Sequence, residues 1–232
     1  MADSSAVDES DQWAGVRERV FALSRWVQVS VPALKPVLTA EQIAEAEAQF
    51  GVAFPEEYRS FLAEVGAGGD GPKISIAELR KIRGRWGWIT EDDEDCVFTL
   101  DASGPFTETE DWLATQIATL RAAGIEPADP DPEDDYFAAY QSAFGETAGE
   151  DLWVEQRHRG AICISDNGCA MSGWLIVVGP HRGEVRDRDY GYNPPFVPYL
   201  DRSGNRHTFR SWYLEWLEEE EVRFAEHLTG AA

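Results

Sequence analysis

Residues 38–71, LTAEQIAEAEAQFGVAFPEEYRSFLAEVGAGGDG, decide the fold of this chain. They read as two short amphipathic helices joined by a Gly–Pro corner. Thr39, followed three residues later by Gln42, makes a capping box, in which the two side chains accept from each other's backbone N–H at a helix start. Ile43, Ala46 and Phe50 recur at i, i+3 and i+7, and Gly51 supplies the stop. Phe54-Pro55 opens the second helix, with proline at the first helical position. Tyr58, Phe61, Leu62 and Val65 sit at i, i+3, i+4 and i+7, one continuous apolar stripe. Gly66, Gly68, Gly69 and Gly71 form a glycine-rich exit.

Periodicity by itself yields only a helical hairpin; the particular residues say more. A capped helix with Ile–x2–Ala–Glu–x2–Phe–Gly–Val, then aromatic-Pro–x2–Tyr–x2–Phe-Leu–x2–Val-Gly and a glycine run, resembles the opening of the SUKH superfamily. These are Smi/Knr-type proteins, comprising bacterial immunity proteins and fungal cell-wall regulators. A second block, AICISDNGCAMSGWLIVVGPHRGEVRD at residues 161–187, is similar to the family's central sheet pattern. A third, TFRSWYLEWL at residues 208–217, looks like its closing helix. The order and spacing of the three blocks make the combination more specific than any one of them. The chain departs from the pattern at Val185-Arg186-Asp187, where relatives of this branch often carry tryptophan after the valine. It departs again in the long acidic middle, residues 90–160.

The resemblance implies one SUKH-like α+β domain at residues 31–232, with a central, mostly antiparallel sheet and packed helices. Residues 1–30 would form an N-terminal tail and helix, with Trp13, Val16, Val20 and Val27 as its apolar positions. The acidic stretch near residues 101–158 reads as a helical insertion. Within it, Thr107 and Glu110 form a second capping box ahead of Trp112, Leu113, Ile117 and Leu120, with Gly124 as the stop. EPADPDPEDD at 126–135 is a Pro/Asp-rich loop, and residues 136–144 read as helical. Strands are expected around Ile74 and Ile76, at 96–100, 161–165, 174–178 and 184–187, and a helical turn at 77–82. Phe209, Trp212, Tyr213, Trp216 and Leu217 mark the last helix.

Composition narrows the function. The chain has 232 residues, 43% of them hydrophobic and 12% aromatic, enough for one sizeable core. Its net charge is −23, from 43 acidic and 20 basic residues. Such a field repels phosphate, so nucleic acid and anionic membrane are not expected partners, and a basic protein is. Solvation alone accounts for the same charge, and so does adaptation to salt, which the three lysines fit. Three cysteines, an odd and sparse count, make no disulfide framework. MADSSAVDES lacks a basic segment followed by an apolar one, and no apolar run approaches the roughly 20 residues needed to span a bilayer. The expectation is a cytoplasmic protein.

Motifs for chemistry are weak. Gly66–Gly71 matches G-x-G-x-x-G, but it follows a helix instead of a strand, Asp70 puts a negative charge where phosphate would sit, and Pro72 lacks a donor. Its plain reading is a helix exit that needs glycine's backbone freedom. Asp129-x-Asp131-x-Glu133 departs from a calcium loop, with Asp134 where glycine belongs and Tyr140 where glutamate belongs. Lys81, Arg83 and Arg85 interleave with Trp86 and Trp88, a pattern of single-strand binders. The acids that follow favour internal ion pairs, with the tryptophans in the core. Cys163 and Cys169 are spaced too widely for a usual zinc pair, although His158 and His181 offer further ligands. Cys163 alternates with Ile162 and Ile164 and reads as buried. There is no G-x-S-x-G, P-loop or H-E-x-x-H, and the four histidines show no catalytic spacing.

No cofactor, no metal and no enzymatic activity are therefore expected. What the resemblance implies is a cytoplasmic immunity protein that binds and neutralises a cognate polymorphic toxin, often a nuclease. A nuclease grips phosphate and so tends to be basic, and an acidic partner is steered onto it. The partner-binding residues expected on this ground are Asp92, Asp93, Glu94 and Asp95, then Asp131, Glu133, Asp134 and Asp135. The alternative is a regulatory or scaffold module of the fungal cell-wall type.

Overall fold

The computed structural model describes residues 12–27, 34–89, 102–108, 158–168, 171–189 and 196–230, with residues 115, 118, 121, 122 and 124. In chain order the elements are α1 (Val16–Val27), α2 (Ala40–Phe50), α3 (Glu56–Glu64), β1 (Ser75–Ile76), β2 (Glu78–Ile82), β3 (Arg85–Ile89), β4 (Ala161–Gly168), β5 (Met171–Ile176), β6 (Val185–Asp189), β7 (Val197–Pro198) and α4 (Phe209–Thr229). β1-β4-β5-β6-β7 form an antiparallel sheet in that spatial order, and β2-β3 form a separate hairpin. The fold is α+β, as the sequence implied.

The hairpin α2–α3 follows the residue pattern closely. Thr39 and Gln42 make the reciprocal capping box, and Gly51 closes α2 in the left-handed conformation at φ 67°. Tyr58, Phe61, Leu62 and Val65 are all buried. Pro55 stands one position earlier than expected, as the N-cap of α3. The rings of Trp13, Phe61, Phe209 and Tyr213 meet edge to face across α1, α3 and α4, at centroid distances from 4.8 to 6.3 Å. Burying such side chains is worth about 1.5–3 kcal/mol each, so this aromatic knot holds the helices together.

The glycine exit is a close backbone crossing. Gly69 exchanges both hydrogen bonds with Ile76, at 3.0 and 2.7 Å, and the Gly68 carbonyl accepts from Lys35. A β-carbon at Gly68 would meet the backbone of Ala77 and Glu78 at 2.7–2.9 Å, and its φ is 152°. This layer of peptide against peptide joins the helical hairpin to the start of the sheet, and no helix follows it to receive a phosphate.

Residues 77–82 depart from expectation, forming strand β2 instead of a helical turn. They pair with β3 from Glu78↔Ile89 to Ile82↔Arg85 around a turn in which Arg83 and Gly84 both have positive φ. That is the geometry of a tight two-residue hairpin. Cross-strand packing of Leu79 against Trp88 and of Lys81 over Trp86 outweighs the weak local helical preference. Ile74 also differs, lying outside β1 and 61% exposed.

β4 and β5 are buried on both faces, which is why they read as nearly unbroken apolar runs. Ile162, Ile164, Leu175 and Val185 join the main core under the helices. Ala161, Cys163, Trp174 and Ile176 face the other way, onto Phe106 and Phe196. Residues 102–108 lie here, tied by the Phe106 N–H to the Val178 carbonyl at 3.0 Å. Residues 115, 118, 121 and 122 are helical, and Gly124 has φ 79°. The strand expected at 96–100, the loop at 126–135 and the helix at 136–144 lie outside the described residues.

Candidate functional site

The second face of the sheet holds an uncommon set of buried charges. Alternation along β6 sends Val185 into the main core and Arg186 and Arg188 to the opposite face, where they are 1% and 3% exposed. Arg186 donates to the Glu184 carboxylate at 2.9 Å and lies over the Phe106 ring at 5.3 Å. Arg188 faces the buried Glu108 carboxylate at 3.7 Å and lies over Phe196. Glu108 also accepts from the Phe196 N–H at 2.8 Å. His158 stacks flat on Trp174 at 4.4 Å. Charges desolvated this far need partners, and Glu184 and Glu108 supply the opposite charge for Arg186 and Arg188. The cluster ties residues 106–108 and 196 to the sheet, a structural task.

Glu184 sits where this cluster meets the surface. Burial alone would raise its pKa, but hydrogen bonds from His181 and Arg186 and their charges more than offset that, so its carboxyl titrates below the ordinary 4.5. Arg206 adds a further contact at 3.2 Å.

A concavity lies at the other end of the sheet. It is a groove of about 370 Å³ lined by the Pro72–Lys73 turn, by Tyr199 and Leu200 just after β7, and by one face of α4. The helical repeat brings Trp212, Glu215, Trp216, Glu219, Glu220 and Arg223 onto that face. Tyr199 stacks on Trp212 at 5.5 Å, and Trp216 meets Tyr213 at 5.2 Å, so the floor is aromatic. Tyr199 is fixed from beneath: its hydroxyl donates to Asp187 at 2.8 Å, and Asn167 donates to it at 2.9 Å. Burial, and then the negative charge of Asp187, raise the Tyr199 pKa, so its hydroxyl stays protonated. His207 Nε2 lies 2.6 Å from Glu215 and braces α4 against the approach to it. The remaining rim pairs are exposed: Arg202 with Glu215 and Glu219 at 3.4 and 3.1 Å, and Arg223 with Glu220 at 2.5 Å.

Asp92, Asp93, Glu94, Asp95, Asp131, Glu133, Asp134 and Asp135 all lie outside the described residues, as does Cys169. Cys163 is buried, as its alternation implied. Trp86 and Trp88 are buried, and Lys81 pairs with Glu45 on α2. Among the described residues no group of three or more His, Cys, Asp or Glu is arranged to hold a metal ion, and no helix is long and apolar enough to cross a membrane. Sequence reasoning missed the groove. The available signal was the four consecutive glutamates Glu218–Glu221, set directly after an aromatic helix face.

A helical hairpin feeding an antiparallel sheet and closed by a C-terminal helix defines an α+β domain. Comparison with known families narrows the class: the SMI1 / KNR4 family (SUKH-1) matches residues 37–187, and the chain belongs to it. The match covers the hairpin, the glycine crossing and the sheet into the first residues of β6. It stops short of Tyr199, Leu200 and α4, which supply most of the groove. No curated protein and no solved structure was found to match the chain.

Proposed function

We propose that this protein is an immunity protein that binds a cognate polymorphic toxin with a basic active domain, such as a nuclease, and occludes it. The family is that of the Smi/Knr-type proteins. The observation that carries the reading further is charge: −23 over 232 residues. Within α4 alone there are six glutamates against two arginines. Net charge of this size is a statement about partners and association rates more than about fold. A nuclease needs a positive surface to hold phosphate, so an acidic protein competes for that surface and is drawn to it at long range. Asp92–Asp95 and Asp131–Asp135 would add to this field.

The test is affinity capture from the source organism at low salt, with mass spectrometry of what stays bound. Recovery of a stoichiometric basic polypeptide that moderate salt releases supports the proposal. Recovery of a cell-wall or signalling protein instead would transfer the reading to a regulatory module.

A further inference from the structure

We infer that the groove between the Pro72–Lys73 turn, Tyr199–Leu200 and α4 is the docking site for a cation-bearing segment of a basic polypeptide. The inference deepens the proposal above and rests on it. The groove's floor is the stacked pair Tyr199 and Trp212, continued by Trp216. Aromatic faces attract ammonium and guanidinium groups within about 6 Å of the ring centroid. The groove already does this internally, because the Lys73 ammonium lies over the Tyr199 ring at 5.5 Å. Lys73 is held there by a left-handed backbone, φ 69°, that non-glycine residues seldom adopt. Among the described residues it has no ion pair. One end of the floor is thus occupied by the protein's own cation, and the end under Trp216 is open to a cation from outside.

The rim selects the same chemistry. Glu215, Glu219 and Glu220 line the groove, and their cations Arg202 and Arg223 have side chains 75% and 65% exposed. Pairs this exposed contribute at most about 1 kcal/mol, so an incoming arginine or lysine can replace them at little cost. Leu200, 55% exposed, adds an apolar edge, and the adjoining Val197 and Ile74 are 53% and 61% exposed. The occupant is therefore a polypeptide segment in which basic side chains alternate with aliphatic ones. Single-stranded nucleic acid would stack on the same rings, but its phosphates would face three carboxylates.

The test uses a fluorescein-labelled peptide of alternating arginine and leucine, followed by anisotropy at low salt. An alternating glutamate and leucine peptide and a labelled oligothymidine serve as comparisons. Three variants are compared with the unmodified protein: Glu219→Lys with Glu220→Lys, Trp216→Ala, and Glu41→Lys with Glu64→Lys. The last pair changes the net charge equally at exposed acids on α2 and α3 that do not line the groove. The groove reversal and Trp216→Ala should each weaken binding about tenfold, and the distant reversal less than about twofold. Because the groove reversal touches only surface side chains, it reads binding even if Trp216→Ala perturbs folding. Equal weakening by both reversals would overturn the inference, as would binding of the acidic peptide or the oligothymidine comparable to that of the basic one. Capture of a basic partner that persists in the groove reversal would leave the immunity reading standing and remove only the groove.

Discussion

At the scale of single residues, burial decides which polar atoms carry weight. Trp88 Nε1 donates to the Tyr58 hydroxyl at 2.7 Å, and both side chains are fully buried. Replacing Tyr58 with phenylalanine keeps the ring and strands the indole N–H without its acceptor. An unsatisfied buried donor costs about 1–3 kcal/mol, so Tyr58→Phe should lower the unfolding free energy by that much, read as a lower denaturant midpoint with an unchanged slope. Glu184 carries the acid sensitivity of the region. Its folded pKa lies below the ordinary 4.5, so its contribution to stability is complete above that pH and is lost as the pH falls through the folded value. Urea titrations between neutral and strongly acid pH should show a shallower acid decline for Glu184→Gln than for the unmodified protein. Superimposable acid limbs would mean that the ties from His181 and Arg186 contribute nothing.

At the scale of elements, caps and close crossings set what can change. Thr39→Ala removes the acceptor for the Gln42 N–H at the start of α2. It should cost about 1 kcal/mol, read from thermal or chemical unfolding. Gly68→Ala is a harsher change, because the new β-carbon meets immovable backbone. A loss of more than about 2 kcal/mol is expected; a neutral result would deny that the crossing is tight. The same elements show what was legible in the sequence. The hairpin α2–α3 was readable because its apolar period, capping box and stop glycine all agree. The strands β4 and β5 were readable as apolar runs between turns. β2 was not, since its turn, Arg83-Gly84, lacks the usual Asn-Gly or Asp-Gly signal. Its fit depends on Trp86 and Trp88, which pair with it only after the chain reverses. The burial of Arg186 and Arg188 had no signal in the sequence, because among the described residues it is the distant segment 102–108, with His158 and Phe196, that covers that face.

At the scale of the whole molecule, the family match and the acidic groove occupy different parts of the chain. The family match ends at residue 187, and the groove is completed by α4 beyond it. Such a groove joins Lys73 to residues more than 120 positions away, so no local pattern announces it. The acidic bias was plain from composition, but composition does not say where the acids converge. The described residues place three of them, Glu215, Glu219 and Glu220, beside tryptophan and tyrosine. The central claim is that acidic charge draws this protein onto a basic partner. It is tested most directly by the association rate constant with the captured partner, measured by stopped flow across ionic strengths from low to physiological. Screening shortens the reach of exposed charges to about 8 Å at physiological salt, so a steered encounter slows steeply as salt rises. The association rate should fall at least tenfold over that range, with dissociation much less affected. An association rate that does not change with salt would contradict it.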